Sequence, residues 1–314
     1  MKFSRREDKR AGRSFDILTD EANGVRIIVS RLGAELVSLS RKDRSGNWIG
    51  FLHRDNDLAP PAKGWGNHAT VMGYYLHRLK DGRSIYRGRE IKGGTHGFLR
   101  STTWHLAETT AAESDSLTYH VSQSDFAPAD YPLNVSLELT YRLADGRITT
   151  IFRFHNREPE LIAHVTFGLH PGFAASSFEK FHFQMPAGKY RRHFSPKNYL
   201  SGETQDIDFD GGEMPFPHES LPGSYIIELI DVPTRDFVFS DPASGRTMVL
   251  DLTGVPYLTL WSDGGPFFCI EPCWGLTDHH QQRAFEDKEG IQKIPPGEEL
   301  VAQFSMKPAL ISNP

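Results

Sequence analysis

Between residues 133 and 143 the apolar side chains fall on every second position. Leu133, Val135, Leu137, Leu139, Tyr141 and Leu143 alternate with Asn134, Ser136, Glu138, Thr140 and Arg142. Extended backbone sends successive side chains to opposite faces, so this run predicts a strand with one dry and one wet face. Asp145-Gly146 follows, a pair suited to the positive φ angles of a tight hairpin turn. Ile148, Thr150, Phe152 and Phe154 then return on one face. The same period holds for Val25, Ile27 and Val29 and for 33–39. Further strands are predicted over 84–89, 116–122, 162–170, 178–184, 225–230, 236–240, 247–252 and 299–306. Helical spacing is confined to one short stretch, Gln281–Lys288. Many short strands separated by turn signals predict an all-β fold, a large antiparallel β-sandwich with very little helix. No repeat, linker or low-complexity block divides the chain, so one domain is expected over 14–314. The charged start, M-K-F-S-R-R-E-D-K-R-A-G-R, predicts a flexible tail over 1–13. The stretch 186–223, dense in Pro, Gly and charge, predicts a long loop.

Charge and composition exclude several classes of function. The 314 residues carry 35 Lys and Arg against 40 Asp and Glu, a net charge of −5. The basic residues are scattered, which argues against a nucleic-acid partner. No run of about 18 apolar residues is present, so no membrane span is expected. The N-terminus has no apolar core of a secretory leader. Cys269 and Cys273 lie too close in sequence for an ordinary structural disulfide. No second Cys/His pair stands at zinc spacing, and Asp278 with His279-His280 has no ligand-spaced partner, so no metal and no cofactor are expected. The two thiols are expected to be reduced, in a cytoplasmic protein that is a monomer or a homodimer.

Three stretches carry the residues of chemical interest. In Pro256–Asp278, P-Y-L-T-L-W-S-D-G-G-P-F-F-C-I-E-P-C-W-G-L-T-D, two apolar runs flank the turn Ser262-Asp263-Gly264-Gly265. Phe267, Cys269 and Glu271 share one strand face, and Phe268 and Ile270 the other. A carboxylate in so apolar a strand needs a partner. Pro272 lacks the N–H for a ladder bond, so the chain is expected to leave the sheet there, with Glu271 at a strand end beside Trp274. Glu271 reads either as a buried acid held by an arginine or as a general base beside an aromatic platform. In 154–173, His170 precedes Pro171 and is likewise expected at a strand end. It reads as a hydrogen-bonded core histidine or as an acid. In 72–100, His96 sits between glycines, where a ligand can approach closely, or else is a loop histidine in solvent. Arg78 reads as a structural ion pair or as a binder of hydroxyls or anions. A carboxylate and a histidine that meet can take a proton from one oxygen and give one to another, with opposed surroundings keeping Glu271 ionised and His170 protonated.

Taken together, R-L-K-D-G and H-G-F-L-R (78–82, 96–100), F-G-L-H-P-G-F (167–173) and F-C-I-E-P-C-W-G (268–275) resemble the aldose 1-epimerase (galactose mutarotase-like) family. With P-P-G-E-E at 295–299 the resemblance spans roughly residues 15 to 308. It implies an antiparallel β-supersandwich and an isomerase that interconverts the α and β anomers of a sugar, its small-molecule partner. It also implies Glu271 as base, His170 as acid, and His96 and Arg78 on sugar hydroxyls and the ring oxygen. Trp274 and Phe98 are expected as apolar walls. Gly172 departs from the aromatic usual in the better-studied members, and His77 from the glycine usual in the branch with R-L-K-D-G. A sugar phosphate or acidic sugar would find Arg78, Arg100, Arg191 or Arg192. A hexose-6-phosphate mutarotase and a non-catalytic carbohydrate-binding sandwich are the alternatives. A glycoside hydrolase is disfavoured, because those enzymes generally pair two carboxylates.

Overall fold

The hairpin forms where its residues require it. In the computed structural model, which describes residues 2–10, 12–108 and 114–311, strands Val135–Ala144 and Arg147–Asn156 pair antiparallel. Asp145 and Gly146 turn between them at φ of 52° and 71°. Leu137, Leu139, Tyr141 and Leu143 are buried, while Glu138 and Arg142 are exposed.

These two strands belong to a nine-stranded antiparallel sheet that also holds Asp236–Asp241, Arg246–Asp251 and Glu299–Leu310. Facing it is a seven-stranded sheet. Its spatial order is Thr204–Phe209, Gly188–His193, Tyr225–Asp231, Tyr257–Trp261, Phe267–Trp274, Phe167–Ala174 and Ala69–Met72, again all antiparallel. Aromatic rings fill the space between the two. Phe268 stacks on Phe181 at 4.5 Å and meets Phe183 at 5.3 Å, while Phe167 meets Phe154 at 4.6 Å. Helix is limited to short 3-10 turns among the described residues, including Phe285–Asp287 where a helical stretch was expected. The fold is all-β, an antiparallel sandwich as the alternation predicts. Among the described residues, no helix is long and apolar enough to cross a membrane.

Four expectations are corrected. Residues 3–10 are not a tail: Phe3–Arg10 pairs along its full length with Arg13–Asp20 at the edge of a five-stranded sheet. Residues 1 and 11 of the expected tail lie outside the described residues. The stretch 186–223 is not one loop but contributes two strands to the seven-stranded sheet and a short one to the other. Neither proline ends its strand. Phe267–Trp274 runs through Pro272 and Phe167–Ala174 through Pro171. The paired registers between these strands break off between Gly168–Cys273 and Gly172–Cys269. Pro171 and Pro272 lie in that gap, so the missing N–H groups coincide with the interrupted ladder.

Candidate active site

The interrupted ladder is also where the two proton carriers meet. Gly168 lies across from Cys273 and Gly172 across from Cys269. The same register puts His170 across from Glu271. Opposed residues of an antiparallel pair project to the same side of the sheet. The row extends over five strands, because Ile226 is paired with Thr259, Thr259 with Glu271 and His170 with Thr70. This row floors a cavity of about 370 Å³, with Ile226, Thr259, Glu271 and His170 all lining it.

Within the cavity His170 Nε2 stands 3.2 Å from Glu271 Oε1. Both side chains are almost wholly buried, at 6% and 2% exposure. Burial pushes the His170 pKa below its usual value, and the Glu271 charge pulls the other way. The surroundings therefore do not favour a protonated His170 near neutral pH as the sequence suggested, because desolvation outweighs the nearby carboxylate. His96 stands edge-on to His170 with ring centroids 5.0 Å apart. Desolvation first, then the charges of His170, His77 and the arginines Arg100 and Arg78, hold its pKa well down. Gly97 lets this loop approach: it has φ of 73°, and a Cβ there would lie 2.2 Å from the Gly73 carbonyl oxygen.

Arg78 lines the cavity from its rim, with an exposed side chain. Its segment is pinned by Asp278, whose backbone N–H donates to the Arg78 carbonyl at 3.2 Å and whose carboxylate accepts from Lys80 N–H at 2.6 Å. Lys288 completes a buried ion pair with the same carboxylate, so Asp278 is committed to this anchor. Arg100 also lines the cavity. Arg191 and Arg192 do not: one pairs with Asp206 at 2.6 Å, the other lies over the rings of Phe194 and Tyr225.

The expected walls are elsewhere. Trp274 is buried in the core, stacked on Phe167 at 5.2 Å. Phe98 packs against Tyr74 and Phe126 at 5.3 and 4.7 Å. Strand parity explains Trp274: three residues beyond Glu271, it faces the opposite side. The aromatic walls are Trp65 and Trp261. Trp261 is paired with Cys269, two residues from Glu271 on the same face, so the hairpin register gives it away. Trp65 comes from an irregular segment with no periodic signal. It stacks on His170 with centroids 5.0 Å apart and on Phe267 at 5.2 Å. Its ring lies over Gly172, where a Cβ would come within 2.4 Å of it. The Trp65 ring thus occupies space that a side chain at position 172 would fill.

His77, to which the sequence assigns no role, also reaches the site. Its Nε2 lies 3.3 Å from Glu271 Oε2, the oxygen that His170 does not face. A histidine thus stands on each oxygen of the carboxylate. His77, Glu271 and Cys273 could converge on a cation, their ligand atoms lying within 4.8 Å of one another. Burial holds the Cys273 thiol protonated, which opposes that use.

Comparison with known proteins agrees with this fold. A family model for aldose 1-epimerase matches residues 16–307. Among solved structures, a galactose mutarotase related enzyme from Lactobacillus acidophilus superposes with a TM-score of 0.81 at 21% identity, covering 98% of both chains. A galactose mutarotase-like protein from Lactobacillus casei gives 0.78 at 18% identity, covering 98% of this chain and 100% of that one. A GalM/aldose epimerase homologue from C. elegans gives 0.72 at 13% identity, covering 96% and 100%. No curated protein sequence matches the chain. The match over nearly the whole length, on a fold that those structures share, establishes that the chain belongs to the aldose 1-epimerase family.

Proposed function

We propose that the protein is an aldose mutarotase, exchanging the α and β anomers of a sugar bound over the Glu271–His170 row. The observation that carries this reading is the contact of one carboxylate and one imidazole, 3.2 Å apart, inside a sugar-sized cavity with two tryptophan walls. A sugar that enters separates the pair. Glu271 takes the proton of the anomeric hydroxyl while His170 gives one to the ring oxygen. The ring opens to the aldehyde, the C1–C2 bond turns, and closure with the proton transfers reversed gives the other anomer. A depressed His170 pKa makes its imidazolium a stronger acid toward the weakly basic ring oxygen, with a smaller protonated fraction at neutral pH. Trp65 and Trp261 supply faces for the apolar C–H side of the ring. His96 and Arg78, which line the cavity, would hydrogen-bond sugar hydroxyls.

Arg78 and Arg100 favour a second reading of the substrate. Both residues line the cavity, and neither is ion-paired among the described residues. A sugar bearing a carboxylate or phosphate would match them. Anomer exchange followed by NMR over neutral aldoses, uronic acids and hexose 6-phosphates tests both readings. Rates at the buffer value for every sugar, with binding intact, would leave a carbohydrate-binding protein instead.

A further inference from the structure

The proton transfers made by Glu271 and by His170 leave His77 unexplained. Among the described residues, hydrogen bonds and ion pairs reach the Glu271 carboxylate from two side chains, His170 on Oε1 and His77 on Oε2. To protonate a ring oxygen, His170 must turn its Nε2 away from Oε1, and the anomeric hydroxyl must come to the carboxylate. His77 is then the protein partner that remains.

We infer that His77 is a positioning residue, whose Nε2–H holds one oxygen of Glu271 while the other takes the anomeric proton. This role rests on the mutarotase reading. Donation to a carboxylate fixes the hydrogen on Nε2 and sets the carboxylate plane before the sugar arrives.

The backbone gives an independent sign. His77 has φ of +52°, a region where a residue with a Cβ is strained and glycine is at ease. Its Nδ1 is buried with no partner among the described atoms, a further cost. Glycine would relieve both costs but would reach no carboxylate. Strain of this kind persists where the surroundings over-determine it. Here the His77 carbonyl accepts the His96 N–H at 2.7 Å, and the two rings stand edge-on with centroids 5.6 Å apart. The imidazole is held between His96 and Glu271.

The test is His77→Gly in the full chain, followed by anomer exchange, thermal unfolding and rescue by added imidazole. Expected is a loss of kcat of roughly 10- to 100-fold, the scale of a misplaced catalytic group, with KM little changed. The unfolding midpoint should hold or rise as the strain is relieved. Imidazole should restore part of kcat in a saturable manner, because the variant leaves a hole of its shape beside the carboxylate. His77→Asn, which tolerates the same φ and keeps an N–H donor, should fall between the two. Unchanged turnover in His77→Gly, or a loss that imidazole does not reverse, overturns the role. A wild-type protein that exchanges anomers no faster than buffer overturns the mutarotase reading and the role with it. An active wild type with an equally active His77→Gly overturns the role alone.

Discussion

His170 faces Glu271 across a gap in a β-ladder, with Nε2 and Oε1 3.2 Å apart and a proline next to each residue. The prolines leave the ladder without N–H donors at that level, and the paired side chains below become the floor of the cavity. Glu271→Gln and His170→Asn should each lower turnover by about 10²-fold or more, the scale for losing a general base or acid. Polarimetry on freshly dissolved anomers measures this. The double variant should be little slower than either single one, because the two side chains act as a unit. Full activity in both single variants would end the proposed mechanism.

The pH dependence follows from the depressed His170 pKa. An acid must be protonated to act, and burial places this one below its ordinary 6.5. The protonated fraction therefore falls as pH rises through a value under 6.5. kcat/KM, which reports the free enzyme, should show its alkaline limb on that side, and His170→Asn should lose the limb. Stability moves the opposite way. Between the folded pKa values of His96 and His170 and 6.5 the unfolded chain binds more protons, so stability is full above 6.5 and declines as pH falls through the window. Urea midpoints at a series of pH values follow this decline. An alkaline limb above neutral pH would contradict the assignment of His170 as the acid.

Arg78 stands at the cavity rim and contacts neither Glu271 nor His170 by hydrogen bond. Arg78→Ala should raise KM by roughly tenfold, the lower end for one charge-assisted hydrogen bond, and leave kcat nearly unchanged. Steady-state kinetics at several sugar concentrations separate the two constants. A loss in kcat alone would place Arg78 in the chemistry rather than in binding.

Gly172→Ala tests the Trp65 wall. The new methyl would meet the Trp65 ring at 2.4 Å, so the indole must shift, and it is stacked on His170. kcat/KM should fall by about 10-fold or more, since a displacement near 1 Å at a catalytic group has effects of this size. Trp65→Ala in the same background should remove most of the difference between Gly and Ala at 172. Additive effects of the two substitutions would show that the contact is not the cause.

Trp274 belongs to the core, and its loss should read as instability. Trp274→Ala should cost about 3–5 kcal/mol of folding free energy, the range for deleting a buried large aromatic. At a temperature where the variant is folded, KM should stay near the wild-type value. Trp261→Ala should do the reverse, raising KM with a smaller effect on stability. Chemical denaturation beside kinetics distinguishes them.

Much of the fold was legible because its signals are local. The alternation from Leu133 to Leu143, the positive-φ pair at Asp145-Gly146 and the face shared by Phe267, Cys269 and Glu271 all depend on neighbours a few positions apart. The prolines misled for the same reason. Pro171 and Pro272 signal strand ends locally, whereas the facing strands simply omit bonds where they lie. The charged segment at 3–10 has the composition of a tail, and its partner strand, Arg13–Asp20, supplies the pairing that this composition does not advertise.

The chain by itself determined the periodicity, the hairpin and the supply of one carboxylate with several histidines near glycine and proline. Tertiary structure alone decided which of them meet. Register brought His170 opposite Glu271, an irregular segment carried Trp65 over Gly172, and a strained loop set His77 on the second carboxylate oxygen. Burial then moved the His170 pKa down. The physical reason is that strand parity is fixed by adjacent bonds, whereas register, loop approach and desolvation depend on segments far apart in sequence.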